Sequence, residues 1–333
     1  MKKKLILLYF IFIAVTLNGQ VDSLKNELSK CTTDSAFADT YLLIAKSFLN
    51  KDNDSVLFYA DQALPYTKSY LKGQASYKNM KATVYLKKGD YELSRKYFLE
   101  ALAIAQKQND SSKISSYLNN AGLTHTYQGN YVQALELLMK GLVIRERIDD
   151  PKVSSSYNNI GIAYERYGQL EKATTFQLLA LRKKRQQGNE LKISNTLNNL
   201  GIVYTRQNKF EEALSLWLKS IAIKENLLQE EDSEKLRISI GYAYGNISSL
   251  FSNMENDKKA LEYIKKSMFI LKKTDDKWGQ MMSYGNMANE LKKASEFNKA
   301  FSLYDTAIVY ARELESTFDL SLHLFNYGEA LSE

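Results

Sequence analysis

This sequence predicts an all-helical solenoid, and three observations carry the prediction. A short phrase recurs about every 40 residues: Tyr117-Leu118-Asn119-Asn120-Ala121-Gly122, Tyr157-Asn158-Asn159-Ile160-Gly161 and Leu197-Asn198-Asn199-Leu200-Gly201. Fainter copies stand at Tyr244-Gly245-Asn246, Tyr284-Gly285-Asn286 and Phe325-Asn326-Tyr327-Gly328. A fixed period of this size marks units that bury their apolar faces only against their neighbours. Apolar and small residues then repeat inside each copy at spacings of three, four and seven, which is one face of a helix. Finally, only Pro65 and Pro151 interrupt 333 residues, and good helix formers such as Leu, Ala, Lys, Glu and Gln fill the intervals.

The chain opens with Lys2, Lys3 and Lys4, a 13-residue apolar run from Leu5 to Leu17, and Asn18-Gly19-Gln20. A basic start, a short apolar run and a small residue beyond it describe a secretory signal over 1–19, cut after Gly19. The run falls short of the roughly 20 residues that a spanning helix needs, so an uncleaved anchor is the second choice. Loss of the three lysines takes the formal charge from +7 to +4, a mild excess that does not point to nucleic acid. The single Cys31 cannot form an internal disulfide, and it lies too far past the apolar run to be a lipoprotein cysteine.

Aligned on the residue after the asparagines, the copies resolve into columns. A small column reads Ala82, Gly122, Gly161, Gly201, Ser248, Ala288 and Gly328, and three residues later comes Tyr85, His125, Tyr164, Tyr204, Phe251, Leu291 and Leu331. Twelve after the first small column runs a second, Ser94, Ala134, Ala173, Ala213, Ala260 and Ala300. A third follows seven later, at Ala101, Gly141, Ala180, Ser220, Ser267 and Ala307. Gly89, Gly129 and Gly168 separate the halves, where glycine can take the left-handed conformation of a helix end. Each unit is therefore a helical hairpin, with Trp217 and Tyr304 of second helices filling the interlayer core.

These columns resemble the tetratricopeptide repeat, with Tyr77, Tyr117 or Tyr157 in place of the family's first bulky Trp and no closing proline in any copy. The asparagine pair and the long period look most like kinesin light chains, Pins-type adaptors and their bacterial counterparts. The resemblance implies an all-α TPR solenoid, a right-handed superhelix of antiparallel helix pairs whose first helices line the inner wall. Domain organisation follows: a capping helix within 20–36 with Leu24 and Leu28 on one face, a degenerate unit over 37–74, and an array over 75–333. Units begin near 75, 115, 154, 194, 241, 281 and 321, the last incomplete. About seven extra residues before the unit at 241, spanning Gln229 to Glu234, read as an extended loop.

One column does not fit packing. Asn120, Asn159, Asn199, Asn246, Asn286 and Asn326 recur in mid-helix, although asparagine competes with its own backbone there. The resemblance implies that such amides hold an extended peptide, whose backbone an amide matches with donors and an acceptor. Hydrogen bonds between neighbouring units would satisfy the same groups. Five residues after the small column, Lys87, Tyr127, Arg166, Arg206, Asn253 and Lys293 form a largely basic set, implied by the resemblance to face the groove. It would favour an acidic segment or a C-terminal carboxylate, while cations at helix ends also answer the helix dipole.

Catalysis has no candidate residue. The sequence contains no HExxH, no phosphate-cradling glycine loop, no Gly-x-Ser-x-Gly and no cysteine cluster. His125 sits in the aromatic column as a core substitute, and His323 lies near the frayed end. The expectation is a non-enzymatic, exported scaffold, periplasmic or extracellular, that needs no cofactor or metal and binds a protein or extended peptide. A membrane enters only if the leader stays uncut or the chain is a fragment. The alternative is the sensor arm of a longer bacterial signalling protein, ending in a histidine kinase or helix-turn-helix regulator.

Overall fold

The computed structural model describes residues 21–49 and 52–332, so the expected leader over 1–19 lies outside the described residues. Every regular element among them is helical. A short helix over 21–28 (α1), with Leu24 and Leu28 half-buried, precedes α2 (Asp34–Phe48) and α3 (Asn53–Ala63), which ends in a 3₁₀ turn at Leu64–Thr67. Then follow α4 (Leu71–Lys87), α5 (Tyr91–Lys107), α6 (Ser111–Tyr127), α7 (Tyr131–Arg147) and α8 (Val153–Arg166). These belong to a first compact unit, which ends at Gln169. The second unit, from Leu170, holds α9 (Leu170–Gln186), α10 (Glu190–Arg206), α11 (Phe210–Glu230), α12 (Glu234–Asn253), α13 (Asp257–Leu271), α14 (Lys277–Lys293), α15 (Phe297–Glu313) and α16 (Thr317–Ser332).

Two residues build most of the turns. Gly89 has φ 77°, and the N–H of Asp90 reaches back to Tyr85 O at 2.9 Å while Gly89 N–H bonds Leu86 O at 3.3 Å. That bond pair satisfies carbonyls the helix end would leave orphaned. Asp90 then caps the next helix, its carboxylate accepting from Leu93 N–H. The pair Asn109-Asp110 repeats the device into α6, with Asn109 at φ 53° and Asp110 accepting from Lys113 N–H. Where glycine is missing the geometry persists: Asn208, Glu255 and Ser295 hold φ of 59°, 56° and 57°.

The small column is where paired helices touch. A Cβ added at Gly201 would lie 2.5 Å from Trp217 Nε1, and one at Gly122 would lie 2.7 Å from Leu138 Cγ. Trp217 is 2% exposed and Tyr304 fully buried, each with its polar end satisfied. Trp217 Nε1 donates to Asn198 O at 3.1 Å, and Tyr304 OH to Asn289 Oδ1 at 2.6 Å. Each core cluster draws on adjacent helices; one joins Ala213, Trp217 and Ile221 to Ile240, Ala243 and Ile247.

Two expectations change. The extra residues before the unit at 241 do not form an extended loop: α11 runs for 21 residues and α12 for 20, leaving 231–233 as the connection. Leu227, Leu228, Gln229 and Glu230 are good helix formers with no glycine or proline to stop them. His323, expected at a frayed end, is 3% exposed and packs on Gly285, where an added Cβ would lie 2.3 Å from its ring.

These contacts set two opposite expectations. Glu255→Gly relieves a left-handed non-glycine residue and should raise stability by up to about 1 kcal/mol. Gly201→Ala drives a methyl into the Trp217 ring and should cost about 1–3 kcal/mol. Thermal denaturation followed by circular dichroism reads both; no change in either variant would mean that turn and seat tolerate what the geometry forbids.

Candidate functional site

The asparagine column occupies equivalent positions on α6, α8, α10, α12, α14 and α16, and α4 carries Asn79 one place earlier. In the first unit the amides form a directed relay. Asn158 Nδ2 donates to Asn159 Oδ1 at 3.4 Å, Asn159 Nδ2 to Asn119 Oδ1 at 3.2 Å, Asn119 Nδ2 to Asn120 Oδ1 at 3.4 Å and Asn120 Nδ2 to Asn79 Oδ1 at 3.4 Å. The Asn119-Asn120 doublet thus accepts from α8 and passes a bond to α4. An amide has two N–H groups and two lone pairs, so half-buried Asn120 and Asn159 are used only in part.

The second unit differs for a reason visible in the residues. Asn246, Asn286 and Asn326 follow Gly245, Gly285 and Phe325, so the neighbouring amide that relays the bond is gone. Among the described residues no amide–amide bond joins these three half-buried side chains. Asn286 and Asn326 instead line a polar cleft of about 330 Å³ with Ser252, Asn253, Lys292 and Lys293. Asn199, also half-buried, stands on α10.

The largely basic column sits in the last turns of first helices, two turns beyond the asparagines. Lys87 Nζ donates to Leu49 O at the end of α2, and Lys293 Nζ bonds Ser252 Oγ on α12. The Arg166 guanidinium lies 4.9 Å from the centre of the Tyr127 ring, a cation–π contact between α8 and α6. Arg206 is exposed at the end of α10. Several members of this column thus engage the preceding first helix while remaining at its surface.

Sequence reasoning missed a second row of cations. Arg145, Lys184 and Lys224 are 3%, 5% and 1% exposed, on α7, α9 and α11. Arg145 Nη1 donates to Ser156 Oγ at 2.8 Å and Nη2 to Ser116 Oγ at 3.4 Å, so a second helix reaches between two first helices. Lys184 Nζ makes the equivalent bond to Thr196 Oγ1. Among the described residues no hydrogen bond or ion pair reaches Lys224, because Ala243 holds the place of that hydroxyl. Burial depresses the Lys184 and Lys224 amines to about 8, aided at Lys184 by Lys192. The signal was available: the three recur at the repeat period, four residues after the third small column.

Among the described residues no cluster of His, Cys, Asp and Glu could hold a metal, and no helix is long and apolar enough to cross a membrane. His125 is buried in the aromatic column, its Nδ1 without a hydrogen-bond partner, and burial lowers its pKa.

The tetratricopeptide-repeat family model matches three overlapping stretches, 74–147, 113–186 and 152–226. Residues 74–226 are tetratricopeptide repeats. Among solved structures, the repeats resemble the quorum sensor NprR from B. thuringiensis, at 21% identity over 86% of this chain and 80% of that one, with a TM-score of 0.58. NprR in complex with its cognate peptide NprX matches at 20% identity over 88% and 87%, with a TM-score of 0.59. BtubC from P. vanneervenii matches at 18% identity over 74% and 93%, with a TM-score of 0.53. At these identities the likeness establishes the fold alone: an all-α TPR solenoid. No curated protein matches this chain.

The buried amines fix a pH dependence. Their folded pKa of about 8 lies below the ordinary lysine value, so at pH 7 both folded and unfolded chains hold the proton and the burial cost is fully felt. From about pH 8 to pH 10 the folded chain releases protons that the unfolded chain keeps, and stability rises with pH. Above that range Tyr70 and Tyr117, pushed up to about 12 by burial, ionise first in the unfolded chain and reverse the trend. Lys184→Met with Lys224→Met should remove the rise and raise stability at pH 7. Denaturant titrations at pH 7 and 9.5 test this, and a wild-type midpoint that does not move would show that the amines are solvated.

Proposed function

We propose that this chain is a non-enzymatic scaffold or adaptor that binds a protein or an extended peptide along the face carrying the asparagine column. The observation behind the reading is the state of Asn246, Asn286 and Asn326. They are half-buried, set on successive first helices, and free of the amide relay that occupies their counterparts in the first unit. Spare donors and acceptors in a row suit a peptide backbone, which offers the same groups at regular intervals. The cleft lined by Asn286 and Asn326 has a volume ordinary for a ligand site, and the fold is that of NprR, solved with its cognate peptide.

Exposed Arg166 and Arg206 would favour an acidic partner. Export rests on the Lys2–Lys4 and Leu5–Leu17 pattern, and a mature protein beginning at Gln20, read by mass spectrometry from the extracellular or periplasmic fraction, would establish it.

The test separates binding from folding by unit. A binder selected from a displayed random-peptide library should bind Asn286→Ala/Asn326→Ala about tenfold or more weakly, with helicity and melting unchanged. Asn120→Ala/Asn159→Ala should chiefly lower the melting temperature, because it breaks the relay. Undiminished binding by the second-unit double variant would sink the reading.

A further inference from the structure

The final helix of the array keeps only half of a hairpin's contacts. Leu324, Gly328 and Leu331 of α16 stand in the columns that hold a second helix in earlier units. Elsewhere those columns are filled. Leu118 lies 3.4 Å from a Cβ added at Gly141, Leu138 lies 2.7 Å from one at Gly122, and Phe251 stacks on Tyr263 at 5.5 Å. Around Gly328 nothing comes within 4 Å of an added Cβ. Leu324 and Leu331 are 46% and 64% exposed, whereas their column mates Leu118, Leu197, Phe251 and Leu291 are buried. Phe318 and Phe325, at 76% and 63%, and Leu322 extend the open side. At about 100° per residue these six positions share one half of the helix surface. The other half is anchored, with His323 and Ala330 buried. Between its ends α16 has no lysine or arginine, and its two carboxylates are engaged. Asp319 accepts from Ser316 Oγ at 2.7 Å, and Glu329 pairs with Lys292 of α14 at 3.1 Å.

The open face also reads alike in both directions. Its seam runs Ser321, Phe325, Gly328, Ser332, at spacings of four, three and four residues. Reversing that order sets Phe325 against Gly328 and Ser321 against Ser332. An antiparallel helix pair about a two-fold axis requires this property, because residue i then meets residue j and j meets i. A phenyl ring entering the Gly328 seat would take the part that Leu138 plays at Gly122. The apolar side chains leave roughly 500 Å² open on one copy, or roughly 1,000 Å² for two, which reaches the lower bound of a specific interface. We propose that this face joins two copies of the chain, with α16 packed antiparallel on its counterpart. Each Phe325 is seated at the other copy's Gly328, and Leu324 and Leu331 close one flank. No charge needs to be stripped of water at the seam, so the contact is favoured by apolar burial alone.

Sedimentation velocity of the protein purified from its host, over about 1–100 µM, tests the proposal. The wild type should pass reversibly from monomer to dimer across that range. Phe325→Glu should raise the dissociation constant about tenfold or more. Its melting at dilute concentration should stay unchanged, because Phe325 is largely exposed in the monomer. Cross-linking then reads the direction of the pair in a Cys31→Ser background. A mixture of Ser321→Cys and Ser332→Cys chains should be joined by a short bifunctional thiol reagent, and either variant alone should not. A monomer throughout the range would overturn the proposal. A dimer that Phe325→Glu leaves intact would also overturn it, by placing the interface elsewhere, as would cross-linking of each variant only to itself. A larger host protein in which a Gly328→Cys thiol is shielded within the monomer would overturn it by showing that a later helix of the same chain fills the seat.

Discussion

The structure depends on how closely two helices of one hairpin approach. At Gly122 and Gly201 the space for even one methyl is taken by Leu138 and Trp217 from the partner helix. That contact sets the separation within a hairpin, and the hairpins then stack through clusters shared between neighbours, such as Trp217 and Ile221 against Ile240 and Ile247. Only at that spacing do successive first helices come near enough for one amide to reach the next, as Asn159 reaches Asn119 at 3.2 Å. A larger residue in the small column would open the polar seam as well as the core.

The seam between first helices has two levels. One is the amide relay. The other lies about one turn away on the same helices, where Ser116 and Ser156 hold the Arg145 guanidinium and Thr196 holds the Lys184 amine. A cation sent inward from the second helix therefore meets hydroxyls of the first helices, and at Arg145 the Asp150 carboxylate also opposes the cost of burial. Hydroxyl bonds orient a charge but neutralise little of it, and burying a charge carries a large desolvation cost. Lys224, facing Ala243, lacks even the hydroxyl, and burial alone accounts for the fall in its pKa.

The hairpin architecture was legible because each feature repeats. The 40-residue phrase, the small columns and the Gly89, Gly129 and Gly168 turns each state one requirement several times, so a single copy's departure does not hide it. The turn geometry at Glu255 and Ser295 was not legible, since neither residue favours positive φ and only their helices' packing holds them there. The division of labour among the asparagines was half visible. The column showed in sequence, but whether an amide is consumed or spare turns on the residue beside it, and that follows only once Asn119 is seen passing its bond to Asn120. A cleft in the first unit, lined by Leu42, Leu43 and Met80, escaped notice because α2, α4 and α6 assemble it from residues up to 78 positions apart, Asp39 to Tyr117.

The lengthened pair α11 and α12 has one more consequence. Four added residues on a 17-residue helix extend it by about 6 Å, a little over one turn. Because the addition lies at the tip, the register of every inward-facing position below it is untouched, and Trp217 and Ile240 keep their places. The tips are thus sites of evolutionary freedom: length can be gained or lost there, or a handle for an unrelated partner installed, while the interior reads the same residues in the same phase.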